Sequence, residues 1–369
     1  MTAPSDSLSG AFRLLFLYDV CEEIRLDELR SILRARPPGR EPSFRRPTPE
    51  YVRFQKPPVI EYLDPLALDS GERLQRQIHY YEYGVVSIEL ELPFEFGWQQ
   101  LIRLSSRWIA APEIEKLAAD SVRQSMARAR PALVKPYDDW LTEDYYIIQI
   151  RPVVTAAGGV VTGEQLISER GGEITQVVRG ETMRLAADES SEILQSCRSY
   201  YPEDLVVIGW TAALVYDTPE GALPVMQLLE YANSQLLEFR YYDEMLTGLL
   251  AGVYRSLEKG TGVLARWRLA REAERLNTIR LDVRELTERM DNSIKFLSDM
   301  YSARVYRLAA GKVGVTDYRR LVDDKLRTAG ELYQFMVDQF QHGRAFVLEL
   351  LVVIILVIEL VYLFAGKVI

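Results

Sequence analysis

Residues 346–369 read FVLELLVVIILVIELVYLFAGKVI, aliphatic almost throughout apart from Glu349 and Glu359. No fold of this chain can leave such a run in water at no cost. Phe346 to Phe364 is 19 residues, about 28 Å of helix at 1.5 Å per residue and close to a bilayer's hydrocarbon thickness. The spacing predicts a single C-terminal transmembrane helix over 344–369, a tail anchor, with a buried helix of a soluble protein as the alternative. Arg344, Arg327 and Lys325 precede the run and Lys367 follows it, so the bulk of the chain is expected on the cytoplasmic side of the membrane.

Two acids in such a run differ in meaning. Glu349 falls in its first turn, where the helix dipole favours a negative charge. Glu359 falls deeper, where an ionised carboxylate is costly unless it is protonated or turned towards protein. These two residues are the candidate membrane and oligomer contacts, with a homo-oligomer as the implied partner.

The hundred residues before the run carry helical periodicity. Thr218 and Pro219 supply a cap and a first-turn proline. Leu229, Ala232, Leu236, Phe239, Tyr242, Leu246, Leu249 and Val253 then hold the three-four spacing of one buried face. After KGTG at 259–262, Leu269, Leu276, Val283, Met290 and Leu297 recur every seven residues, with Ile279, Leu286 and Met300 interleaved. Such a seam serves a coiled coil between chains or a bundle within one. Beyond a break at 311–316, Tyr318, Leu321, Leu326, Ala329, Leu332, Met336 and Phe340 mark a last amphipathic helix.

The first half has a different texture. FRLLFLYDV (12–20), YYEYGVVSIELEL (80–92), DYYIIQI (144–150) and DLVVIGWTAALVYD (204–217) are rich in β-branched and aromatic residues and read as strands. Helical stretches are expected at 26–34, 97–130, 162–180 and 186–198. The fold class is therefore α+β: a mixed α/β sheet domain over 1–217, a helical hairpin or coiled-coil stalk over 218–343, and the anchor.

Within the sheet domain, the proline-rich segment 30–58 is basic. Between 30 and 56 it holds eight basic residues, five prolines, and Phe44, Tyr51 and Phe54. Arg45, Arg46, Arg53 and Lys56 are the candidate anion- or RNA-binding residues, since cations neutralise phosphate and rings stack on bases. A solvated loop packing its aromatics on the sheet is the other reading. A net charge of −9 over 369 residues argues against a nucleic-acid footprint across the whole surface.

Motifs for chemistry are scarce. Cys21 and Cys197, with His79 and His342, cannot build a disulfide framework or a Cys/His metal cluster. AAGKVG at 309–314 has Tyr306 where a phosphate loop needs glycine, and no G-x-S-x-G elbow occurs. No cofactor, catalytic residue, metal ligand or small-molecule substrate is implied, and the protein is expected not to be an enzyme. The N-terminus lacks a basic segment followed by a long apolar core, so no signal peptide is expected.

Gly84, Val85 and Val86, then Gln235, Leu236, Leu237 and Tyr242, then Leu348–Glu349 and Ile358–Glu359, together resemble the required-for-meiotic-nuclear-division (RMND) family, also called YagE-type. Leu350 stands where that family carries tryptophan. The resemblance implies a membrane-anchored, homo-oligomeric, non-enzymatic scaffold, with translation at a membrane as the process organised and the ribosome or RNA as partner. A CorA-like divalent-cation transport protein also joins an α/β domain to a membrane helix, but its Gly-Met-Asn signature and second span are absent. An enzyme whose site is assembled from distant residues is the remaining alternative.

Overall fold

The computed structural model describes residues 7–33, 57–68, 71–109, 111–155, 158–258, 271, 274–281, 283–284 and 300–365. Eight strands form one sheet: β1 (Leu8–Ile24), β2 (Val59–Ala67), β3 (Arg73–Tyr80), β4 (Val85–Phe96), β5 (Leu133–Ile150), β6 (Cys197–Arg198), β7 (Leu205–Ile208) and β8 (Ala212–Tyr216). Their order across the sheet is β2-β3-β4-β1-β5-β8-β7-β6. The pairs are antiparallel except β5 with β8. A parallel pair needs a long crossover, and this one runs through α4 (Gly163–Arg179) and α5 (Ala187–Gln195).

Two of the expected strands are interrupted. The 80–92 run is cut by a turn in which Gly84 sits at φ +94° and its amide donates to the Tyr81 carbonyl at 3.2 Å. The 204–217 run folds into the β7–β8 hairpin, where the Gly209 amide donates to the Ala212 carbonyl at 2.9 Å. The helix expected at 26–34 forms as α1 (Leu26–Leu33), and the one expected at 97–130 divides into α2 (Trp98–Trp108) and α3 (Pro112–Ala129), because proline starts a helix readily but cannot continue one. β2 and β3 were not legible as strands, since RLQRQIHY offers too few apolar residues to alternate.

Alternation along the strands gives the sheet two faces. Phe12, Leu14 and Phe16 of β1, Ile88 and Leu90 of β4, and Tyr146 and Ile148 of β5 form one core with Trp98, Leu101 and Trp108 of α2, Val122 of α3 and Val177 of α4. The opposite face bears Arg13, Leu15, Leu17 and Asp19 of β1, and on this side the long helix α6 (Pro219–Glu258) is tied to the sheet by Glu230 to His79 and by Arg240 to Glu143. Thr218 caps α6, its hydroxyl accepting from the Gly221 amide at 3.1 Å. The eight residues from Leu229 to Val253 read as one apolar face are all buried.

Two compact units emerge, one of Met1–Tyr241 with Arg289–Arg319 and one of Tyr242–Glu288 with Arg320–Ile369. The first includes α7 (Met300–Val313), whose Tyr306 hydroxyl bonds to Gln235 of α6. In the second, Leu276 and Val283 of the heptad series are fully buried, and Leu276 packs with Leu249, Leu250 and Val253 of α6 and with Ala329 and Met336 of α8 (Val315–Ala365). At Leu276 the seam is satisfied within the chain. Leu269, Leu286, Met290 and Leu297 lie outside the described residues, and Met300 is exposed.

The expected transmembrane anchor, and with it the membrane localisation, is corrected: no helix among the described residues is long and apolar enough to cross a membrane. The apolar run is the end of α8, a helix that begins amphipathic at Val315. The α+β sheet domain stands.

Candidate functional site

The second face of the sheet is where charge collects. SIELEL at 87–92 alternates as a strand with one solvated edge would, yet Ser87 and Glu89 are buried. They lie beneath α6, which presents its own polar row: Glu230, Asn233, Ser234, Gln235 and Glu238 are all buried. Positions four apart on a helix share a face, so Glu230, Ser234 and Glu238 follow one line along α6.

Each end of this layer has its own chemistry. His79 of β3 donates from Nδ1 to Glu230 at 2.7 and 3.0 Å. Burial pushes the His79 pKa down, but the Glu230 carboxylate outweighs it and the net shift is upward. Burial likewise pushes Glu230 up, and the His79 imidazolium brings it below the usual carboxylate value. The two shifts agree on a buried ion pair. Beside it, Arg13 of β1 bridges Glu89 and, at 2.7 Å, Glu91 of β4. Tyr83 and Ser234 share a 2.7 Å hydrogen bond.

At the other end Asp19 of β1 approaches Glu238. Burial, and then the Glu238 charge, raise the Asp19 pKa to about 9. Both Asp19 carboxyl oxygens are enclosed and find no hydrogen-bond partner among the described residues. Tyr137 of β5 stacks on Tyr241 of α6 with ring centroids 5.0 Å apart. Cys21 is buried close by, and burial pushes its thiol up to about 12, so it is not a reactive thiolate.

A serine, a histidine and a glutamate therefore share one patch, since Ser87 lies cross-strand from His79. Nucleophile activation needs the base bonded to the hydroxyl and both open to substrate. Here His79 Nε2 and Ser87 Oγ are sealed, with no hydrogen bond between them. The layer holds protons and charge; it does not present a nucleophile.

The residues singled out in the sequence fall elsewhere. Arg45, Arg46, Arg53 and Lys56 lie outside the described residues. Glu349 lies in α8, and Glu359 is exposed on the same helix amid an aliphatic surface. The charged layer was missed because its partners are far apart in sequence. A usable signal was the alternation of Ser87, Glu89 and Glu91 together with a lone arginine, Arg13, inside the apolar run AFRLLFLY of β1.

An eight-stranded mixed sheet, helix-covered on both faces with a charged layer under one of them, defines the class as an α+β domain protein. A family model described as "Uncharacterized protein MJ0711, N-terminal domain" matches residues 9–222, more than half of the chain, and the chain belongs to that family. This overturns the resemblance to the RMND/YagE-type family, which rested on short apolar motifs that recur in unrelated strands and helices. Uncharacterized protein MJ0711 of Methanocaldococcus jannaschii is 20% identical over 198 residues, 54% of this chain and 61% of the relative's length. The chain thus matches less than two thirds of that relative. No solved structure matches. The family match closes at Ala222, so His79 lies within it and Glu230 beyond it.

Proposed function

We propose that the protein is a non-enzymatic homo-oligomeric scaffold, in which α8 joins copies of the chain. One observation carries this reading: Val352 to Ile358, Leu360 and Val361 are each about half exposed, between 48% and 60%. A helix apolar on every side is ordinarily surrounded. Nine such side chains exceed the few hundred Å² that monomers commonly expose in one patch and approach the roughly 800 Å² per partner of a stable interface. A second copy is the occupant that fits, because symmetry brings the same apolar level of each helix together.

The ribosome as cargo rested on the overturned resemblance and has lost that support. The test is Leu356→Cys in a Cys197→Ser background, oxidised at low protein concentration and weighed by sedimentation. A scaffold joined through α8 gives an oligomeric mass and a covalent dimer. A monomeric mass without cross-linking sinks the reading.

A further inference from the structure

On the face of the sheet away from the charged layer, a cleft of about 390 Å³ opens between α3 and the β2–β3 hairpin. Its origin is local. The β2–β3 register shifts between Leu63 and Leu66, where Pro65 has no amide to give the ladder. The freed Asp64 carbonyl accepts from Arg76 Nε at 2.7 Å. Across the gap α3 turns a polar stripe, Ser121, Gln124, Ser125 and Arg128, at helical spacing.

Two arginines, Gln124 and two serines line this cleft, with Leu63 and the acid Asp64. Arg76 Nη1 donates to the Ser121 hydroxyl at 2.9 Å, which itself donates to the Leu117 carbonyl at 2.8 Å. Arg128 donates to Glu61 at 2.6 Å and to the Ser125 hydroxyl at 2.8 Å. Glu61 also accepts from the buried Tyr80 hydroxyl, which fixes the floor. Arg128 is therefore neutralised. Arg76 makes no ion pair among the described residues, although it is partly buried and burial lowers its pKa. With Nε and Nη1 committed, Nη2 is the nitrogen of this half-buried guanidinium left to meet the oxygen of an anion.

We propose that this cleft binds the carboxylate of a small organic acid, held by Arg76 Nη2 with the Gln124 amide as the second donor. Charge selects the class. Arg128 and Glu61 cancel, and the Asp64 carboxylate offsets part of the Arg76 charge, so a monoanion is opposed less than a phosphate dianion. The volume lies at the small end of ligand clefts.

The experiment titrates the full-length protein with acetate, lactate and benzoate, and separately with inorganic phosphate at matched ionic strength, reading saturable thermal stabilisation and ligand-detected NMR. At least one monocarboxylate should bind saturably and more tightly than phosphate. Arg76→Gln should weaken it about tenfold or more, the effect of removing a charged hydrogen-bond donor. Gln124→Ala, at an exposed position that leaves the fold intact, should weaken it less. Absence of saturable binding by all three acids, tighter binding of phosphate, or equal binding by both variants overturns the proposal.

Discussion

His79 and Glu230 stand 151 positions apart in the chain and 2.7 Å apart in the fold, a buried ion pair that ties β3 to α6. Breaking such a pair from one side leaves a charge sealed without its partner. Glu230→Gln should therefore destabilise by about 3–5 kcal/mol, and the double replacement His79→Leu with Glu230→Leu by less than the sum of its parts. Denaturant midpoints of the single and double variants give the comparison.

The pair also sets a pH window. The folded pKa of His79 lies above 6.5, so its contribution is complete below pH 6.5 and is lost as pH rises through the raised value. That of Glu230 lies below 4.5, so its contribution is complete above pH 4.5 and is lost as pH falls through the lowered value. The stability difference between wild type and the double variant should peak between these limits and decline towards alkaline pH. A difference that grows above pH 8 would contradict the ion pair.

Asp19 behaves in the opposite sense to a paired carboxylate. With a folded pKa near 9 against 3.8 unfolded, the folded chain holds a proton that the unfolded chain has released, and stability falls as pH rises between the two values. Asp19→Asn keeps the shape and removes that penalty. It should stabilise by on the order of 1–4 kcal/mol at pH 8 and have little effect at pH 4, as read from unfolding curves at both.

Gly84 turns the chain from β3 into β4 at φ +94°, and a Cβ there would meet the Cys21 carbonyl oxygen at 1.8 Å. Backbone cannot yield as a side-chain tip can. Gly84→Ala should destabilise by about 2 kcal/mol or more, from left-handed strain and the clash together. Thermal unfolding monitored by circular dichroism measures it.

In a parallel assembly through α8, symmetry sets each Glu359 beside its copies. Like charges at one level oppose association, so Glu359→Gln should tighten it by about three- to tenfold. Sedimentation equilibrium over a concentration series reports the constant. Weaker association in the variant would place Glu359 against a cation instead.

Leu276 is fully buried among Leu249, Val253, Ala329 and Met336. Leu276→Ala should open a cavity there and cost about 2–5 kcal/mol in the local stability of that unit. Hydrogen exchange in the α6 and α8 segments that flank it is the readout. Exchange that stays unchanged would mean the heptad position is not a core position.

Much of the fold was legible because strand and helix periods are written locally. Leu229 to Val253 declared the buried face of α6, and the aromatic and β-branched runs declared β1, β4, β5 and the residues of β7 and β8, though not the turn at Gly209 that separates the last two. The cuts at Gly84 and at Pro112 were also present in the sequence as residues of known backbone preference. β2 and β3 were not legible, since a strand such as RLQRQIHY is specified by its neighbours in the sheet more than by its own alternation.

The sequence by itself determined which segments alternate with period two, which repeat with period 3.6, and that an aliphatic run near residues 346–364 requires cover. Tertiary structure alone decided whether the polar side of SIELEL meets water or a helix. Burial on that side depends on where α6 lands some 140 residues later, and no local pattern encodes it. The same holds for Leu276: its seven-residue spacing suits a partner chain or its own, and the choice was made by the packing of α6 and α8 around it.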